Sequence, residues 1–232
     1  IYVIKYNKSL YTVKKFKNHI PDYHIINEYK TLQRLSHYYD SNFPKPYKLI
    51  LHTSHNKLTQ FNHKFIDKTG KYILYQYING TDSRNFINYL KNLKYDIDYY
   101  NDCKKNNSFT LHDTHNFNKI TNEQFITNII NTIKTYLLNI AKLIYKVQKI
   151  DIAHLDIKPE NIILENMTKD MWLNYKNFDV NDLLNMSQNM YLIDFGFNKP
   201  VNLHNKKLIN TNRCGTIKYI SPEMLNKQYN CT

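Results

Sequence analysis

Apolar residues hold helical phase for about seven turns through Ile126, Ile129, Ile130, Ile133, Leu137, Ile140, Ile144 and Val147. A helix of that length must bury a stripe along its axis, so any domain built from this chain has to be assembled around it. Thr121 and Gln124 form a capping box at its start. Its end runs almost directly into the polar stretch His154-Leu155-Asp156-Ile157-Lys158-Pro159-Glu160-Asn161, whose side chains would sit on a loop anchored by the helix.

The remaining pattern is mixed. Ile1 to Phe16 contains two β-branched and aromatic runs joined by Asn7-Lys8-Ser9, a hairpin signal. Pro21-Asp22 opens a helix on which Ile25, Glu28, Leu32 and Leu35 share one face, placing Glu28 among apolar residues. After the connection Phe43-Pro44-Lys45-Pro46, strands are expected near Phe61 to Asp67 and over Lys71 to Ile78, the second ending at Asn79-Gly80. A short helix over Arg84 to Leu93 precedes a polar stretch, 94–119, read as an inserted loop. Asn161 to Leu164 and Tyr191 to Ile193 are strand candidates separated by a second insertion, 165–189. Strands, one helix, strands and then a mainly helical section make an α+β fold of two unequal lobes, with a cleft as the natural ligand site.

Composition narrows the function classes. Apolar residues make up 42% of the 232-residue chain and there are 21 tyrosines, so the chain can build a core. Thirty-two Lys plus Arg against 19 Asp plus Glu leave a net charge of +13. That balance attracts phosphates or nucleic acid, but the lysines are dispersed with no arginine-rich run, and abundant Lys, Asn, Ile and Tyr is the usage of AT-rich codons. Nucleic acid is therefore not the expected partner. Cys103, Cys214 and Cys231 are too few and too far apart for a disulfide framework or a zinc site. Without a membrane-length apolar run or a leader pattern, the expectation is an intracellular chain, cytoplasmic or nuclear, with no membrane partner. No oligomeric state follows from these residues.

The segment His154 to Asn161 resembles the catalytic loop of eukaryotic-type protein kinases. Phosphoryl transfer needs a carboxylate beside the nucleophile, oxygen ligands for Mg²⁺ and a cation near the moving group, and Asp156, Asn161 and Lys158 offer one of each. Asp194-Phe195-Gly196, after the apolar Tyr191-Leu192-Ile193, is similar to the metal-binding triplet of the same family. Cys214 to Glu223 looks like the end of a kinase activation segment, with Ser221 where alanine is usual. The resemblance implies that Asp156 accepts the substrate hydroxyl proton, that Asn161 and Asp194 hold magnesium, and that Thr216 contacts Asp156 and Lys158 as in Ser/Thr-specific members.

In the first part of the chain, Tyr11-Thr12-Val13-Lys14 resembles the strand bearing the phosphate-binding lysine, and Glu28 is its expected partner. Lys15 and Lys5 are rivals for that role. Tyr75 to Asp82 is similar to the hinge between lobes. On that alignment Tyr75 controls a back pocket, the backbone of Gln76 and Ile78 meets adenine, and Asp82 reaches the ribose.

The resemblance implies a kinase-like two-lobe fold, with a small antiparallel β lobe carrying one helix (1–78) and a mainly helical larger lobe (79–232). It begins inside the second strand, without the glycine-rich phosphate cover, and stops before the helices that complete the larger lobe, so a truncated domain is expected. The implied activity is transfer of the ATP γ-phosphoryl group to a Ser or Thr hydroxyl of a protein substrate, with ATP and Mg²⁺ as cofactors. A pseudokinase or ATP-binding scaffold, an inactive fragment and a basic nucleic-acid-binding protein are the competing classes. Leu155 stands where most members carry arginine, and the usual phospho-acceptor position falls on Asn212. Leucine cannot bind a phosphate, so activity is expected not to require phosphorylation of this segment, with the neighbouring Thr211 as the residue that tests the point.

Overall fold

The computed structural model describes residues 1–39, 41–51, 70–106, 123–167, 189–202, 207–208 and 215–222. The strand expected near Phe61 to Asp67, the capping residue Thr121, and Thr211, Asn212, Cys214 and Glu223 lie outside them. The described residues form antiparallel sheets and three long helices, in keeping with the α+β expectation. Among them no helix is long and apolar enough to cross a membrane.

Strands β1 (Tyr2–Tyr6) and β2 (Ser9–Phe16) pair antiparallel with Tyr6 opposite Ser9. Asn7 and Lys8 between them take positive φ, 46° and 67°, the backbone of a two-residue hairpin turn. β2 then pairs with β4 (Lys71–Gln76), which pairs on its other side with β3 (Pro46–Ile50). The sheet order is β1-β2-β4-β3. The connection expected around Pro46 is thus partly an edge strand. Proline at its first position is tolerated there because an edge strand's outer side needs no N–H.

The period of two sorts β2. Val13 joins Ile4, Ile50, Tyr72 and Leu74 in an apolar cluster on one face, while Lys14, opposite Ile73, and Thr12, opposite Tyr75, point to the other. Helix α1 (Asp22–Tyr38) buries Ile25, Glu28, Thr31, Leu32 and Leu35. The register therefore selects Lys14 as the lysine facing the helix; Lys15 and Lys5 are exposed.

Gly80–Asp82 is a short strand, β5, where a turn was expected, and helix α2 runs from Arg84 to Asn106. The inserted loop beginning at Lys94 is therefore a helix as far as Asn106. Phe86, Tyr89 and Leu93 are buried along the expected part, and beyond it Cys103 continues the same side, while Lys94 pairs with Asp98 on the exposed side.

Helix α3 (Glu123–Gln148) is the long helix expected, but its buried face is rotated. Ile129, Thr132, Tyr136, Leu143 and Val147 are buried, whereas Ile126, Ile130 and Leu137 are exposed. Tyr136 takes the seam because its ring packs 5.0 Å from that of Phe86 and its hydroxyl donates to Ser83 Oγ at 2.8 Å.

Two compact units result. One comprises 1–78, 143–161 and 191–232, and the other comprises 79–142 and 162–190. In the second, β5 pairs antiparallel with β7 (Ile162–Glu165), and a Cβ on Gly80 would lie 2.2 Å from the Leu164 carbonyl oxygen, which is why glycine stands there. In the first, β6 (Ile152–Ala153) leads into the His154–Asn161 loop, and β8 (Met190–Leu192) leads into Asp194. β9 (Lys199–Asn202), beyond Asp194, pairs with β6.

Candidate active site

Within the first unit, two clusters of polar side chains form around buried carboxylates. The first is built on α1 and the sheet. Lys14 Nζ donates to both oxygens of Glu28, at 2.7 and 2.9 Å, and to Asp194 Oδ1 at 2.7 Å. Tyr75 donates its hydroxyl to Glu28 Oε1 at 2.8 Å. Burial pushes the Glu28 carboxyl up, the Lys14 ammonium pulls it back, and the result stays above the ordinary carboxylate value. Burial works against the charge on Lys14, but Glu28 and Asp194 more than offset it and hold its pKa above the usual lysine value. For Asp194, burial is likewise outweighed by Lys14, the Gly196 N–H and His154, which together hold the carboxyl below its ordinary range.

The second cluster is built on the loop after β6. Asp156 is 3% exposed, and its two oxygens are covered by donors. Oδ1 accepts from the backbone N–H and the hydroxyl of Thr216, at 2.8 and 2.7 Å. Oδ2 lies 2.8 Å from Lys158 Nζ and accepts from Asn161 Nδ2 at 3.0 Å. Lys158 Nζ also donates to Thr216 Oγ1 at 2.7 Å. Burial alone would raise Asp156; the bonds from Lys158 and Thr216 reverse that and hold it below the ordinary carboxylate value.

Backbone shape makes this convergence possible. Leu155 and Asp194 both take positive φ, 64° and 62°. Such a conformation costs a non-glycine residue of order 1 kcal/mol and persists only where surrounding contacts enforce it. Gly215 has φ of 99°, and a Cβ there would come within 2.4 Å of the Leu155 carbonyl oxygen. Glycine is therefore required for Thr216 to reach Asp156.

The structure brings together Lys14, Glu28 and Asp194 in one cluster and Asp156, Lys158, Asn161 and Thr216 in the other. Gln76 ends β4, where its backbone N–H donates to the Lys45 carbonyl at 2.8 Å. Its N–H is thus committed within the protein, and its carbonyl is the group an adenine contact would need. Ile78 follows at the end of this segment, partly exposed. Asp82 belongs to the second unit, and both of its oxygens are held by Arg84: Nε donates to Oδ1 at 2.9 Å and Nη2 to Oδ2 at 2.7 Å. A ribose contact through Asp82 would have to compete with that fork.

Sequence reasoning assigned no role to four contributors. His154 is buried and accepts the Asp156 N–H at Nδ1 (3.2 Å), so the neutral ring carries its proton on Nε2 and donates it to the Ile193 carbonyl at 3.0 Å. Its ring meets that of Phe195 edge-on at 4.5 Å. Asn198, buried beyond the Asp194 turn, accepts at Oδ1 from Asn27 Nδ2 (2.9 Å) and Thr31 Oγ1 (3.1 Å), and donates from Nδ2 to the Phe195 carbonyl. Thr31 carried a signal, being in helical phase with Glu28 and Leu35. Asn27 and Asn198 carried none.

A metal would find suitable donors here. Asn161 spends its amide nitrogen on the Asp156 carbonyl and carboxylate, at 2.9 and 3.0 Å, so its oxygen is the atom suited to a hard cation. Asp194 is ionised and its side chain is 39% exposed. Among the described residues no group of three or more His, Cys, Asp and Glu could hold a metal alone. Two protein oxygens fit Mg²⁺, which dehydrates reluctantly and is commonly held jointly by protein and substrate phosphates.

The chain is similar in sequence to known proteins. Ribosomal protein S6 kinase 2 beta of Xenopus laevis and ribosomal protein S6 kinase alpha-1 of Mus musculus are each 28% identical over 112 residues, 48% of this chain and 14% and 12% of theirs. The alignments thus span a small part of the length of these curated relatives. A family model described as the protein kinase domain, a family that uses ATP and Mg²⁺, matches residues 2–232. Because that match takes in both carboxylate clusters and nearly every residue between and around them, the chain belongs to the protein kinase domain family.

Proposed function

We propose that this chain carries the phosphoryl-transfer site of a protein serine/threonine kinase, acting on Ser or Thr hydroxyls of a protein substrate. The carrying observation is the Asp156 carboxylate, buried and ionised with Lys158 and Thr216 both within 2.8 Å of its oxygens. On this reading 1–78 is the small lobe and 79–232 the larger one.

Magnesium-bound ATP supplies the transferable phosphoryl group and much of the charge neutralisation. Asn161 and Asp194 would hold the metal, Lys14 would orient the phosphates, and the Gln76 carbonyl with the Ile78 backbone would receive adenine. Asp156 aligns the acceptor hydroxyl and takes its proton as the new O–P bond forms and the bond to the leaving diphosphate oxygen breaks. A carboxylate held below its ordinary range is a weak base. That suffices here, because phosphoryl transfer through a loose transition state asks mainly for alignment and charge stabilisation. Lys158 balances the negative charge that develops beside Asp156. Thr216, bonded to both, narrows the acceptor site in the way associated with Ser/Thr-specific members.

Asp156→Asn in the full-length protein tests the reading, since it keeps the shape and removes the proton acceptor. Phosphate transfer to a protein substrate should fall by about 10²- to 10⁴-fold with Mg²⁺–ATP binding retained. Full activity in that variant would overturn the mechanism. Mg²⁺-dependent ATP binding without transfer by the unaltered protein would instead support an ATP-binding scaffold.

A further inference from the structure

Two ties join α1 to the turn that carries Asp194, and they differ in chemistry. One is ionic: Lys14 bridges Glu28 and Asp194, each at 2.7 Å. The other is neutral. Asn198 Oδ1 accepts from Asn27 and Thr31, at 2.9 and 3.1 Å, while Asn198 Nδ2 donates to the Phe195 carbonyl. Asn27 and Thr31 flank Glu28 on the same helical turn, and Asn198 lies four residues beyond Asp194. Asn198 and Thr31 are each 3% exposed.

We infer that Asn198 is a positioning residue: it holds the α1 turn carrying Glu28 in register with the Asp194 turn, independently of the charges that a nucleotide would engage. The inference rests on the kinase reading for its consequence in catalysis, though not for the tie itself. In that reading Lys14 and Asp194 turn toward phosphate and metal, so the ionic bridge between them is weakened when substrate arrives. No atom of the Asn198 tie needs to turn toward substrate. A buried amide whose carbonyl oxygen and NH₂ are both engaged also has a strong geometric preference, because losing a partner leaves a buried polar atom unsatisfied. Leu155 sharpens the point. A side chain without charge cannot order the segment after Asp194 through a phosphate, and the Asn198 tie reaches that segment with neutral hydrogen bonds alone.

Backbone hydrogen exchange of residues 25–32 in the full-length protein tests this, with and without Mg²⁺ and a non-hydrolysable ATP analogue. Thr31→Val keeps shape and loses the hydroxyl; Thr31→Ser keeps the hydroxyl. Thr31→Val should exchange about three- to tenfold faster over this turn in both conditions, with Thr31→Ser close to the unaltered protein. In activity assays kcat should fall by a similar factor, while KM for ATP changes less than twofold. Asn27→Ala, a change at an exposed position, should give the same local pattern more weakly and decides the matter if Thr31→Val does not fold. Unchanged protection in both Thr31→Val and Asn27→Ala, or equal loss in Thr31→Ser, overturns the assignment. If the unaltered protein shows no phosphate transfer, the kinase reading fails while the exchange result still judges the tie.

Discussion

Glu28 and Asp156 are both nearly removed from solvent, at 1% and 3% exposure, yet their proton affinities move in opposite directions. Burial raises each. The surroundings differ as well: Asp156 collects a lysine, a hydroxyl, a backbone N–H and an amide. Glu28 has one lysine and one phenol, and the negative charge of Asp194 nearby. Glu28 also lies deeper beneath the surface than Asp156, so depth, the number of donors and the sign of the neighbours together set the two charge states. The Asp156 cluster is made for an anion that stays ionised. The Glu28 cluster depends on a single shared cation.

That dependence is the easiest part of the contrast to break. Lys14→Met should destabilise the fold by about 3 kcal/mol, because it leaves buried Glu28 and its neighbour Asp194 without their cation. Urea denaturation checks the value. Adding Glu28→Gln to Lys14→Met should recover much of the loss, since a neutral amide removes the uncompensated charge. Failure of the double variant to recover would mean that the lysine stem, not its charge, is what the cluster needs.

The same contrast marks how far the residues could be read without a fold. Asp156, Lys158, Asn161, Asp194 and Thr216 were legible because their motifs resemble those of the protein kinase family, and that resemblance implies how they gather around a site; local chain direction could not, since Thr216 lies 60 residues from Asp156. Lys14 against Lys15 needed one further fact, the strand register, which only pairing with β4 supplies. The rotated face of α3 was not legible, since its apolar stripe is broader than the surface it buries and its neighbours choose which edge is covered. The length of α2 was missed because beyond Leu93 its described residues up to Asn106 bury only Cys103, too little for periodicity to register. Asn198 was invisible for another reason. A buried asparagine is defined by partners far away in sequence, here Asn27 and Thr31, and no local pattern announces them.

A weaker probe is pH, where the two carboxylates should pull against each other. Asp156 has a lowered folded-state pKa, so its contribution to stability is present above its unfolded value and is lost as pH falls through the folded one. Glu28 is raised, so its contribution is present below its unfolded value and is lost as pH rises through the folded one. Between neutral pH and about pH 3, the Asp156→Asn variant should therefore lose less stability than the unaltered protein, and Glu28→Gln should lose more. Parallel curves for all three would show that neither group is shifted. His154, lowered mainly by burial, acts in the same direction as Asp156 and is common to every arm of the comparison.

The smallest expected effect isolates one donor. Tyr75→Phe keeps the ring in place between sheet and helix and removes only the hydroxyl that reaches Glu28 Oε1 at 2.8 Å. The Tyr75 pKa is pushed well above its ordinary value by burial and by Glu28, so this hydroxyl is protonated at neutral pH and acts as a donor. Its loss should cost about 1 kcal/mol at neutral pH, less than a charged partner would, because Lys14 still holds the same oxygen at 2.7 Å. The loss should also shrink as pH falls through the titration of Glu28, since a protonated carboxyl no longer demands a donor at that atom. Urea titrations of both proteins at neutral pH and at about pH 4 separate the possibilities. A cost that is the same at both values would mean that the hydroxyl supports packing and not the charge of Glu28, and the difference in donor number would then not explain why the two buried carboxylates diverge.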